Sequence, residues 1–192
     1  MNVEEFKKTA TNPKKWFEYA IMQKRLGDAI VDSILKALPN EKDKSKMVND
    51  IIYFWSNAHF HYGIGIENGL KGIIAKNNED AITIEEKNGK AYLIGIGKSK
   101  NMNHDLLKLA EDADLFKLIT YACDKECEML KAILVHLSDA IRWQPKYPVP
   151  TCNDSDYKPD GKIHNAVIYG FHLLDVIEPL FKLFENEYAS IN

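Results

Sequence analysis

Apolar residues recur at steps of three and four along four stretches of this chain, the spacing that gathers them on one face of an α-helix and commits that face to burial. The first stretch starts at Asn12, a capping residue, and Pro13 at the first helical position, and runs through Tyr19, Met22, Leu26, Ile30 and Ile34 until Pro39. A second carries Ile52, Trp55, His59, Tyr62, Ile66 and Ile73. A third aligns Ile119, Cys123, Cys127, Leu130, Leu134, Leu137 and Ile141. The last aligns Ile163, Val167, Gly170, Leu174, Ile177, Phe181, Phe184 and Tyr188, and Pro179 is expected to bend it. A shorter helix is expected at His104, Leu106, Leu107 and Ala110, with Asn103 as its cap. The fold class that follows is mainly α, an antiparallel helical bundle.

Between the second and third stretches, Thr83-Ile84 and Ala91-Ile94 flank Asn88-Gly89, the dipeptide that most readily takes the positive φ angles of a tight hairpin turn. The spacing predicts a β-hairpin at 82–97 inserted into the bundle. Prolines 145, 148, 150 and 159 rule out regular helix at 143–160 and predict a long loop there. With 192 residues, residues 1–192 are expected to form one domain.

A balance of 25 basic against 28 acidic residues disfavours binding through a continuous basic field and leaves a local basic patch open. Three cysteines cannot all pair, and the amino-terminal stretch lacks the apolar core of a secretion signal. No apolar run reaches the length of a membrane span. A cytoplasmic setting away from the membrane is therefore expected. Cys123 and Cys127, four apart on an apolar stripe, read as buried reduced thiols, with metal or redox chemistry as the alternative. His59 and His61 point to opposite sides of a helix, and His164 and His172 are eight apart, so no metal site and no cofactor are expected. His59 reads as a histidine at the edge of the core.

Four motifs bear on chemistry. Gly95-Ile-Gly-Lys-Ser99 imitates the end of a phosphate-binding loop, but the first glycine of that pattern should stand where Tyr92 does. Gly63, Gly65, Gly69 and Gly72 do not have dinucleotide-loop spacing; they predict a close helix contact, within the bundle or between two chains. Glu67 and Lys71, four apart, form either an exposed ion pair or a polar ligand site in a groove. Arg142, one of only two arginines, stands with Trp143, Lys146 and Tyr147, a mixture suited to stacked bases and phosphate. The alternative is structural: a cation at a helix end and two rings pinning the loop.

The segments ENGLKGIIAKN (67–77), NHDLLKLAEDADL (103–115) and IRWQPKYPVP (141–150) resemble the HEPN superfamily of helical-bundle domains. The resemblance implies a binding or interaction module acting as a homodimer, in a toxin-antitoxin or phage-defence setting, with nucleotide or RNA contact or a cognate protein partner. The candidate ligand-binding residues, read from their chemistry, are Glu67, Lys71, Arg142, Trp143, Lys146 and Tyr147. RNA-cutting members share an arginine and a histidine with four to six residues between them. Here no histidine follows Arg25 or Arg142 at that spacing, whereas His136 precedes Arg142 by six. The enzyme alternative is a metal-independent ribonuclease in which Arg142 converges with His136 or His104. A third reading is a small-ligand receptor with its pocket near Glu67, His59 and Trp55.

Overall fold

The computed structural model describes residues 2–37, 43–98, 104–119, 124–142 and 173–191. The expected loop at 143–160, the amino-terminal part of the last stripe and the Asn103 cap lie outside these residues.

Helices dominate: α1 (Val3–Ala10), α2 (Pro13–Ala37), α3 (Lys44–Asn77), α4 (Leu106–Asp112), α5 (Leu115–Leu118), α6 (Asp124–Arg142) and α7 (Glu178–Ala189). The expectation of a mainly α fold with a hairpin holds. Helix α1 is an addition that the apolar spacing did not announce. Its start is fixed by a reciprocal cap, in which the Glu5 amide donates to Asn2 Oδ1 and the Asn2 amide to Glu5 Oε2.

Helix α3, 34 residues and about 51 Å long by its rise per residue, is the axis of the molecule. Antiparallel packing holds for α2 against α3, where Phe17 meets Gly72 and Gly27 meets Tyr62. Helix α7 instead lies beside α3 in the same sense, with Phe181 on Gly65, Phe184 on Gly69 and Glu187 bonded to Lys76. Gly63 receives Ile141 of α6. The glycines of α3 are therefore seats for side chains from three helices of the same chain. Each costs roughly 1 kcal/mol of helix propensity relative to alanine, offset by the rings and methyls packed against it.

The face that α2 buries differs from the expected one. Phe17, Ala20, Gly27, Val31 and Ile34 point inward, whereas Tyr19, Met22 and Leu26 are exposed. Two stripes at helical spacing coexist on this helix, and the one with small residues wins because it lets α3 approach. Phe17, Phe181 and Phe184 fill the resulting centre, the last two edge to face at 5.6 Å.

The hairpin forms as expected, from β1 (Ile82–Lys87) and β2 (Lys90–Ile96). Asn88 and Gly89 both have positive φ, 54° and 70°, as the tight turn requires. Ile84 pairs with Leu93 and Thr83 with Gly95, so Ile94 is the extra residue of a bulge. Ile82 packs with Ala10 and Ala75, and an ion pair joins Lys7 to Glu86, so α1 and α3 support the ribbon. Asp105 caps α4, accepting from the Lys108 amide, and the Leu106 amide donates to Ser138 Oγ of α6. Residue 119 lies in a bend before α6. A π-helical turn, Leu173–Ile177, precedes α7, whose first turn holds Pro179, so the irregularity expected at the proline takes that form. Among the described residues no helix is long and apolar enough to cross a membrane.

Candidate functional site

Residues four apart on a helix advance by only about 40°, so His59, Gly63, Glu67 and Lys71 follow one slow spiral along α3. That spiral faces the interior. Glu67 and Lys71 are 3% and 6% exposed, so the pair is no surface ion pair. Lys71 Nζ donates to Glu67 Oε1 at 2.5 Å, and His104 Nδ1 donates to Glu67 Oε2 at 2.9 Å. Burial alone would raise the Glu67 pKa, but the His104 hydrogen bond and the Lys71 charge outweigh it and hold the carboxyl below its usual range.

His104 does not open a helix as expected. It precedes the Asp105 cap in a left-handed conformation, φ 54°, and its side chain is 44% exposed. Non-glycine residues take this conformation at a cost of about 1 kcal/mol or more, and here the buried carboxylate fixes it. The bond occupies Nδ1, so Nε2 carries the lone pair of the neutral ring.

On its other side the Lys71 ammonium lies over the Trp16 ring, 5.4 Å from the centroid. Trp16 is held by its Nε1–H, which donates to the Ala10 carbonyl at 2.8 Å across the α1–α2 junction. The same ring walls a cleft of about 280 Å³ between α1, α2, α3 and β2. Phe6, Ala10, Tyr19 and Leu93 complete its apolar walls, and Thr9, Lys15 and Asn68 supply polar groups. This cleft lies on the Trp16 side of Lys71, and its lining does not include Glu67, His59 or Trp55.

His59 belongs to a second cluster, about 12 Å along α3 from Glu67 by the rise of eight residues. It is 1% exposed, so it sits inside the core and not at its edge. Its Nδ1 shares a hydrogen bond of 3.0 Å with Nε2 of His136, which is 5% exposed, and the rings meet edge to face. Burial, with a smaller effect from the neighbouring imidazole, pushes the His59 pKa down to about 3, so the ring is neutral near pH 7. Among the described residues Nε2 of His59 has no hydrogen-bond partner. Trp55 is half-buried, its ring 5.8 Å from that of His59.

The three residues considered for catalysis have different neighbours: His136 bonds His59, His104 bonds Glu67, and Arg142 lies 3.8 Å from Asp139 at the exposed end of α6. Trp143, Lys146 and Tyr147 fall outside the described residues. Cys127 is a half-buried free thiol, more exposed than expected, and Cys123 is not described. Among the described residues no three His, Cys, Asp or Glu side chains are grouped to hold a metal. The imitation of a phosphate loop ends β2, with Gly97 in a left-handed turn against Asp112.

The fold and this cluster define a mainly α protein with a charged centre buried on its longest helix and an apolar cleft beside it. Comparison with family models, curated proteins and solved structures finds no match to the chain.

Proposed function

We propose that the chain is a non-catalytic helical binding module whose cleft beside Trp16 receives a small molecule. The observation that carries this is the desolvated Lys71 ammonium held by Glu67 and stacked on the ring that walls the cleft. A buried ion pair gains little stability over apolar side chains of similar volume, so its presence beside a cleft supports a role in recognition. Thermal unfolding against a small-molecule library tests it. A ligand at 100 times its Kd adds about 2.7 kcal/mol, and that gain should shrink in Trp16→Phe. A library without any stabilising compound sensitive to Trp16→Phe refutes the reading.

A second reading, an interaction module acting as a homodimer, has its own support. Tyr19, Met22 and Leu26 are 57%, 45% and 43% exposed and form a seam on the outer face of α2, flanked by Glu18 and Arg25. Sedimentation should show self-association that Met22→Glu abolishes; a wild type that stays monomeric at high concentration rejects it. The HEPN-like relationship, with its cytoplasmic defence or toxin-antitoxin setting, rests on the resemblance of residues 67–77, 103–115 and 141–150. Nucleotide, RNA or cognate-protein contact belongs to the same proposal. The ribonuclease alternative is tested by incubating mixed RNA in EDTA with wild type and with His104→Ala: intact RNA in both removes it.

A further inference from the structure

Resting on the binding reading above, the geometry points to a specific class of ligand for the cleft: a flat, uncharged heteroaromatic molecule bearing an N–H donor, of the size of indole or a purine base. Four features of the cleft lead there.

Its volume of about 280 Å³ lies just under the range of sites for drug-sized molecules, room for one or two fused rings. Its walls are aromatic and aliphatic, from Phe6, Trp16, Tyr19 and Leu93, and planar rings gain most from offset or edge contact with such walls. The indole N–H of Trp16 is committed to the Ala10 carbonyl, so that ring offers the ligand only its π surface. Asn68 supplies the direction: its Nδ2 donates to the Ile64 carbonyl at 2.7 Å, which leaves Oδ1 as an acceptor for a ligand donor.

Charge argues against the other classes. The Lys71 ammonium already lies over the Trp16 ring, so a cationic ligand would compete with it for that π system. The cation that lines the cleft, Lys15, is paired with Glu18 at 2.7 Å on the surface, so a carboxylate or phosphate would have to compete with that carboxylate. An uncharged ring pays neither penalty.

The test is calorimetric titration of the full chain with indole, N-methylindole, adenine, adenosine monophosphate and hexanoate. Indole, adenine or both should bind, and N-methylindole should bind about tenfold more weakly than indole, the loss of one hydrogen bond. Asn68→Leu should abolish that discrimination while keeping the aromatic contact, and Tyr19→Ala, at an exposed wall, should weaken all ring ligands. Stronger binding of indole than adenine identifies an indole-type ring as the source, and the reverse a nucleobase. Adenosine monophosphate should bind no better than adenine. If hexanoate or the phosphate binds in a Trp16-dependent way and the uncharged rings do not, the cleft remains a binding site and this assignment of ligand class is wrong. If indole and N-methylindole bind equally in the wild type, Asn68 has no part in selection and the inference fails. If none of the five binds while the library yields a Trp16-dependent ligand of another class, the inference fails alone.

Discussion

The buried imidazole of His59 ties the stability of the fold to pH. In the folded chain its pKa lies at about 3, and in the unfolded chain it returns to the ordinary 6.5. Between these values the unfolded state binds a proton that the folded state refuses, so stability is complete above 6.5 and falls as the pH drops towards 3. Well below 6.5 the slope approaches about 1.4 kcal/mol per pH unit, and from pH 7 to pH 5 the His59 contribution amounts to about 2 kcal/mol. Glu67 also has a lowered pKa, but its contribution is lost only as the pH falls below 4.5, so measurements kept above pH 5 separate the two. Half-buried His61 acts in the same direction as His59, and its share cancels when a His59 variant is compared with the wild type. The assay is urea unfolding followed by circular dichroism at pH 7, 6 and 5, for wild type and His59→Gln. The wild type should lose about 2 kcal/mol more than the variant across this range. Should the variant not fold, the carbon-bound ring protons of His59 in the wild type can be followed by NMR and should show no titration down to pH 5. Equal slopes for the two proteins, or a His59 resonance that titrates near 6.5, would refute the argument.

Two further outcomes are expected. Gly69→Ala should destabilise by about 1–3 kcal/mol despite its gain in helix propensity, because the new methyl enters the Phe184 ring, whereas Gly89→Ala, with nothing within 4 Å, should lose only the roughly 1 kcal/mol of its positive φ; urea midpoints distinguish them. Glu67→Gln and Lys71→Met should each cost about 3–5 kcal/mol by stranding a buried partner, while the double substitution should cost much less than their sum, as a double-mutant cycle will report.

The helices and the hairpin were legible because their signals are local. Asn88-Gly89 specifies its own turn, and apolar steps of three and four recur along α2, α3 and α6. The phase of α2 was not legible, because Tyr19-Met22-Leu26 outscores Phe17-Ala20-Gly27 in apolar bulk, and bulk says nothing of how closely α3 approaches. Helix α1 was announced only by the Asn2 and Glu5 spacing, a signal of polar residues that an apolar scan passes over. At the site, the Glu67–Lys71 spacing was visible but its burial was not, since that depends on helices docking around the glycines on either side. His104 reaches Glu67 across 37 residues of sequence and His136 reaches His59 across 77, and neither pairing leaves a trace in local pattern. Trp16 and Asn68 had no distinguishing context at all: the first looks like ordinary core and the second like an ordinary helix-surface amide.

The tip of the hairpin has a practical consequence. Nothing lies within 4 Å of the place where a side chain on Gly89 would stand, and the two strands are anchored at their far end by Ile82 and Ile96. A fluorophore, an epitope tag or a pair of new chain ends introduced between Asn88 and Gly89 would project into open space, which makes this turn the natural handle for immobilising or labelling the protein while its cleft stays untouched.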